Sequence, residues 1–280
     1  GCNFILTNGG EMKDYWGIGK ASHPMLPSIM IPTTAGTGSE CQSFALISDN
    51  ATHQKMACGD PKAMAKVAIL DPELTLSQPP RVTACTGIDA IAHAVETAVT
   101  RKRNETSRKY SRAAFQMMLE NFSRVLESPD DLEARGQMLL GAGYAGTAIE
   151  HSMLGAAHSA ANPLTAHFDV IHGQAVGMML PHVVRFNAAD ETIADGYAAL
   201  VKDTAVASSN GTLSAEALAQ AMEALLDSAN LPRALAQCGV EEVQLKTLSV
   251  EAAQQWTASF NPRDITAADF TGLYQKAFAS

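Results

Sequence analysis

The sequence predicts a two-part fold, a short α/β segment over 1–78 followed by a larger all-helical segment over 79–280. Before Pro79 the apolar runs are short and end in turns rich in Gly, Thr or Pro, as buried strands do. After Pro80 apolar residues recur at spacings of three and four, the period of an α-helix. A chain of 280 residues is also near the size at which one core gives way to two domains.

In the front part, Leu-Pro-Ser-Ile-Met-Ile-Pro at 26–32 reads as a buried strand running into Thr-Thr-Ala-Gly-Thr-Gly-Ser-Glu at 33–40. Lys-Val-Ala-Ile-Leu at 66–70, closed by Asp71-Pro72, reads as a second. Behind Pro80, Thr86 reads as the cap of a helix with Ile88, Ile91, Ala92 and Val95 on its apolar stripe. Ser214 precedes a helix carrying Leu218, Ala221, Met222, Leu225 and Leu226. Thr266 with Asp269 resembles a capping box, with Phe270, Leu273, Tyr274 and Ala277 as the buried face behind it. No internal repeat or low-complexity tract interrupts this pattern.

Composition narrows the function classes. With 46% hydrophobic and 18% charged residues the chain is globular rather than disordered. It has no run of 18 apolar residues to span a membrane, and its first residues lack the regions of a signal peptide. A net charge of −9 argues against nucleic acid or an anionic membrane as partner, and Arg101-Lys102-Arg103 reads as a solvated helix end. Five scattered cysteines without a Cys-x-x-Cys pair fit a reduced, cytoplasmic protein and exclude a zinc ribbon.

The chemistry concentrates in carboxylates and imidazoles. Asp89 and His93 are four residues apart, so on a helix they emerge from one face, stacked one turn apart. Such a pair is half of a metal site, and two further imidazoles would give a mixed N/O set suited to Zn²⁺ or Fe²⁺ rather than Ca²⁺ or Mg²⁺. Beside this stands the simpler reading of Asp89 as a first-turn carboxylate favoured by the helix dipole after Thr86. Glu96, one turn beyond His93, is placed to accept from an imidazole N–H as an outer partner. His158 lies in a Gly/Ala-rich run on an expected helix, where small neighbours allow either a ligand or tight helix packing. His172, before Gly173, falls at an expected helix start; His182 reads as structural, and His23 and His53 as surface positions. The backbone N–H groups and hydroxyls of 33–40 can hold phosphate or ribose oxygens, and Lys55 can reach the same ligand.

The strings Ile-Pro-Thr-Thr-Ala-Gly-Thr-Gly-Ser-Glu, Ile-Leu-Asp-Pro-Glu-Leu-Thr-Leu, Pro-Pro-Arg-Val-Thr-Ala-Cys-Thr-Gly-Ile-Asp-Ala-Ile-Ala-His-Ala-Val-Glu and the stretch through His158, His172 and Gly173 to Leu-Pro-His-Val-Val-Arg-Phe-Asn resemble, in order, the iron-containing (metal-dependent) alcohol dehydrogenase family. The resemblance implies a dehydroquinate synthase-like architecture, in which 1–78 is a partial dinucleotide-binding α/β domain and 79–280 a helical metal-binding domain. It implies Asp89, His93, His158 and His172 as metal ligands, with Fe²⁺ favoured and Zn²⁺ as the alternative. It implies NAD or NADP held by Thr33 and Thr34, with Thr37, Ser39, Gln42 and Lys55 as further contacts. The activity implied is hydride transfer between that cofactor and a small alcohol or aldehyde, in a protein whose homo-oligomeric state is left open.

Two departures qualify the resemblance. Many relatives carry a second histidine four residues after the ligand at 158; here the position is Asn162, whose amide cannot exchange protons near neutral pH, and His167 is the nearest substitute for a proton relay. Relatives also carry a Gly-Gly-Gly-Ser turn in a preceding strand–helix–strand, so the chain reads as starting just after it, with severely reduced cofactor affinity expected. Two rivals follow, a non-catalytic or inactive metal-binding fragment and a zinc-dependent polyol dehydrogenase of the same superfamily.

Overall fold

A computed structural model of the chain describes residues 1–49, 55–206 and 213–279; His53 lies outside these. The front part opens on helix α1 (Cys2–Asn8) and contains, among the described residues, five strands. β1 (Gly17–Ile18) runs parallel to β4 (Lys55–Gly59), which pairs antiparallel with β3 (Phe44–Ser48), Phe44 opposite Gly59 and Ser48 opposite Lys55. β2 (Ile29–Met30) pairs parallel with β5 (Val67–Ala68). These last two are the strands expected at 26–32 and 66–70, shortened because Pro27 and Pro32 have no N–H to donate. Phe4, Tyr15, Ala21, Met56 and Cys58 form a small core under this layer.

From Pro80 onward the described residues hold helices only: α2 (Pro80–Thr97), α3 (Glu105–Glu127), α4 (Leu132–His151), α5 (Ala156–Phe168), α6 (His172–Asn187), α7 (Glu191–Val201), α8 (Ala215–Ser228), α9 (Leu245–Gln254) and α10 (Ala267–Phe278), with short 3₁₀ turns between some of them. The expected class, a partial α/β layer joined to a larger all-α part, is what the chain adopts. No helix among the described residues is long and apolar enough to cross a membrane.

α2 is the central helix. It packs against α3, α4 and α6, and every residue from Gly87 to Thr97 is buried. The helix starts at Pro80, where the missing N–H is harmless, so Thr86 lies inside it rather than capping it. Its hydroxyl instead donates back to the Val82 carbonyl at 2.8 Å. The caps expected at Ser214 and Thr266 form: Ser214 accepts from the Ala217 N–H, and Thr266 and Asp269 exchange bonds in a capping box.

Three ties bind the front to one helix of the body, α4. Gly38, in the left-handed region at φ 59°, lies so close to Gly146 that a β-carbon on either would collide with the other's backbone. The Ser43 N–H and hydroxyl both donate to the Glu150 carboxylate, each at 2.8 Å. Arg135, buried, donates to the Thr75 carbonyl at 2.8 Å.

Candidate metal centre

Asp89 and His93 sit mid-helix on the inner side of α2, both buried. Asp89 is nine residues past the helix start, so dipole stabilisation in a first turn does not account for it. Nine helical residues and full burial leave it needing a partner of opposite charge. His158 comes from the first turn of α5 and His172 from the first position of α6. Gly173 lets α6 reach α2: a β-carbon there would collide with the Cys85 carbonyl and lie 3.1 Å from the Asp89 Cβ. That crossing carries His172 to the carboxylate.

The ligand atoms of Asp89, His93 and His158 lie within 4.8 Å of one another. Asp89 Oδ2 is 3.6 Å from His93 Nε2, and Asp89 Oδ1 is 3.4 Å from His158 Nε2. His172 stands on the open side, its Nε2 3.9 Å from Asp89 Oδ1 and its side chain 27% exposed. The His93 and His158 rings stack at 4.9 Å.

Glu96 fixes His158. It accepts from His158 Nδ1 at 2.6 Å and from the N–H groups of Ala157 at 2.7 Å and Gly155 at 3.1 Å. The carboxylate from α2 therefore closes the open N-terminus of α5 and sets the tautomer of its histidine. With the Nδ1 proton given to Glu96, His158 Nε2 turns a lone pair toward a carboxylate oxygen. Asp89 Oδ1 and His158 Nε2 are both buried without a hydrogen-bond partner. Two buried acceptors facing each other at 3.4 Å are stabilised by a cation between them, and the N/O donor set suits Fe²⁺ or Zn²⁺.

The electrostatics agree in sign. Burial pushes the Asp89 carboxyl up, but His93, His158 and His172 outweigh it and hold the group well below the usual carboxylate range. Burial pulls His158 down, yet Glu96 and Asp89 raise it to about 9, so with no metal ion in the site a proton takes the Nε2 lone pair beside Asp89, and a bound cation would displace it. Burial lowers His93 to about 4 and His172 to about 3, which keeps both rings neutral and available as donors to a metal.

These residues form the floor of a cleft of about 530 Å³ between the sheet layer and the helices, with Thr37, Ser39, Gln42, Lys55 and Asn162 on its walls. Burial lowers Lys55, with Asp89 opposing. Gln42 is anchored by donating to the Thr37 carbonyl at 2.9 Å. The expected cofactor residues are divided: Thr34 lines a separate small cavity with Thr75, Thr83 and Arg135, and Thr33 is exposed and lines neither. The expected proton-transfer residues are divided too. Asn162 lines the cleft and donates to Gln255 Oε1 at 3.0 Å, with its own Oδ1 buried and unpartnered. His167 lies away from the cleft, 45% exposed, paired with Glu251 at 2.7 Å. His182 is buried in α6.

Several contributors carry no sequence signal of their own. Asn261 accepts from the Ala156 N–H at 3.3 Å and exchanges bonds with Asn187, bracing the start of α5. Trp256 and Thr257 reach the cleft from a 3₁₀ turn some hundred residues past His158, and only the Asn261-Pro262 pair nearby hints at a turn there.

Comparison with known proteins agrees with this geometry. The model for the C-terminal part of the iron-containing alcohol dehydrogenase family matches 83–278, and that for iron-containing alcohol dehydrogenase matches 1–72. The chain belongs to the iron-containing alcohol dehydrogenase family. It is 31% identical over 273 residues to the NAD-dependent methanol dehydrogenase of Bacillus methanolicus, covering 98% of this chain and 72% of that one. The structure of an alcohol dehydrogenase from Oenococcus oeni superposes with a TM-score of 0.91 at 28% identity, covering 99% of this chain and 72% of that one. Sulfoacetaldehyde reductase from Bifidobacterium kashiwanohense, solved in complex with NAD⁺, superposes with a TM-score of 0.85 at 25% identity, covering 99% and 72%. The chain is an oxidoreductase of a family that is iron-containing and NAD-dependent.

Proposed function

We propose that Asp89, His93, His158 and His172 hold one divalent cation, Fe²⁺ in preference to Zn²⁺, and that the cleft above them takes a nicotinamide cofactor and a small alcohol or aldehyde. The observation that carries this is the pair of buried, unpartnered acceptors, Asp89 Oδ1 and His158 Nε2, facing each other on the cleft floor. When bound, the cation supplies Lewis acidity to the substrate oxygen and the nicotinamide gives or takes the hydride.

The chain's own groups divide the remaining work. Asp89 supplies the negative charge of the ligand set, and Glu96 orients His158 through its Nδ1 proton. Thr37, Ser39 and the anchored Gln42 offer hydroxyl and amide groups to the cofactor along one wall, and Lys55 offers a cation to its ribose or phosphate oxygens. Thr33 and Thr34 are assigned to its more distant parts, since they lie away from this wall. Asn162 presents a carbonyl oxygen fixed by Gln255, suited to an N–H or O–H of the bound ligand, and it positions rather than relays protons. His167, engaged with Glu251 at the surface, stands away from the cleft and is not assigned a proton relay. We further assign residues 1–78 to a cofactor-binding unit and 79–280 to the metal-binding unit. The five free cysteines and the acidic charge support a cytoplasmic enzyme without nucleic-acid or membrane partners, and light scattering tests whether it forms a homo-oligomer.

The test is metal content and NAD-linked turnover of the same preparations. The native chain is expected to hold about one equivalent of iron or zinc, and His158→Ala and His172→Ala well below that, with aldehyde reduction falling in step. Full occupancy in both variants overturns the four-ligand assignment. Metal-loaded native protein that is inert with NAD(H) and NADP(H) across alcohols and aldehydes overturns the dehydrogenase reading.

A further inference from the structure

One buried residue is tied to all three helices that bear the proposed ligands. Asn261 follows the 3₁₀ turn Trp256–Phe260 and is 1% exposed, so water cannot stand in for its partners. Its Oδ1 accepts from the Ala156 N–H of α5 at 3.3 Å and from Nδ2 of Asn187, the last residue of α6, at 3.1 Å. Its Nδ2 donates to Asn187 Oδ1 and to the Arg263 carbonyl, each at 2.8 Å. Its carbonyl accepts at 2.8 Å from Nε of Arg101, just past the end of α2. The side-chain amide thus uses both donors and both acceptor positions. Pro262 restricts Asn261 to the extended backbone it adopts, at ψ 137°.

The same turn meets α5 twice more. Ser159 gives its proton to the Gly155 carbonyl at 3.0 Å, so the buried Thr257 hydroxyl donates to Ser159 Oγ at 2.7 Å. Asn162 donates to Gln255 Oε1 at 3.0 Å. Ala156, Ser159 and Asn162 therefore meet Asn261, Thr257 and Gln255 in reverse order, rung by rung. His158 lies on the stretch of α5 held by this ladder, while Asp89 and His93 ride on α2 and His172 on α6.

We propose that Asn261 is a positioning residue for the metal centre, with Thr257 as its second rung: it fixes α2, α5 and α6 at the spacing that brings Asp89, His93, His158 and His172 to one cation. This rests on the metal-centre reading. Glu96 orients the His158 ring through its proton, whereas Asn261 sets where the helix carrying that ring stands. Without the Asn261 amide, the Asn187 amide and the Ala156 N–H are left buried and open, and the helix ends relax away from one another. The ligand set then grips a cation less tightly, as sites do when their outer partners are removed.

Co²⁺ is the probe, because its visible absorption follows the arrangement of its ligands. Asn261→Ala and the isosteric Thr257→Val are expected to weaken Co²⁺ binding roughly 10–100-fold, measured by competition with a chelator, and to change the position or intensity of the bands. Thr257→Ser keeps the hydroxyl and should bind as the native chain does. Phe4→Leu, in the small front core, is the control: its denaturation midpoint falls while Co²⁺ affinity and bands stay native. If Asn261→Ala does not fold, Thr257→Val against Thr257→Ser decides. Native affinity and native bands in the folded variants, whatever their stability, overturn the positioning role and leave the metal centre standing. A native chain that binds no Co²⁺, or that keeps its bands in His158→Ala, overturns the metal centre and the positioning role with it.

Discussion

Glu96 accepts three hydrogen bonds that no neighbouring group replaces: two backbone N–H groups of α5 and the ring N–H of His158. Glutamine in its place keeps the shape but brings an NH₂ to a position that must only accept, leaving a buried donor facing donors. Glu96→Gln is expected to weaken metal binding roughly 10–100-fold, measured by competition with a chelator, and to lower the melting temperature. Unchanged metal affinity would remove Glu96 from the positioning role. Its part as an outer acceptor was legible from the spacing Asp89, His93, Glu96, because one helical face collects all three. That its partner would be His158 was not legible, since nothing local links positions 62 residues apart. Asn162 and His167 show the same limit. Sequence offered both for proton transfer, but which one faces the cleft depends on how α5 packs against the Glu251–Trp256 stretch.

At the scale of elements, the crossing of α2 and α6 requires Gly173. Gly173→Ala drives a β-carbon into the Cys85 carbonyl, so one helix must shift. Overpacking of this kind costs about 1–3 kcal/mol, and here it also displaces His172 from Asp89. Chemical denaturation should show the loss, with a fall in metal content alongside. Gly272, inside α10 with nothing near its would-be β-carbon, is the control: Gly272→Ala should stabilise by about 0.5–1 kcal/mol. Caps and periodicity made α8 and α10 readable in advance. Two elements were less so. α2 was expected from Thr86 because a threonine before an apolar stripe looks like a start, whereas Pro80 is the actual first residue and Thr86 bonds back into the preceding turn. The β3–β4 pair escaped notice because Ala45, Ala57 and Gly59 break the alternation by which a half-buried strand is recognised.

For the whole molecule, acid stability depends on histidines buried in neutral form. His182 on α6 is lowered to about 4, first by burial, then by Arg185, with Lys276 and Arg233 adding and Glu223 opposing. An unfolded histidine titrates near 6.5. Below that pH the unfolded chain takes up a proton that the folded ring refuses until about 4. The stabilisation is therefore complete above pH 6.5 and is lost as pH falls through that window, by at most ~1.4 kcal/mol per pH unit. His182→Gln should make denaturant midpoints between pH 7 and 5 less steep in pH than those of the native chain. An identical slope would show that His182 contributes nothing to acid sensitivity.

The ties through Gly146, Glu150 and Arg135 all fall on α4, which supplies none of the proposed metal ligands. α4 is in effect the spacer that sets how far the cleft wall bearing Thr37, Ser39 and Gln42 stands from the floor bearing Asp89 and His158. A shift of this one rod would change the gap that donor and acceptor carbons must bridge, with every reacting group still in place. Changes in turnover could then arise from side chains that meet neither substrate nor cofactor.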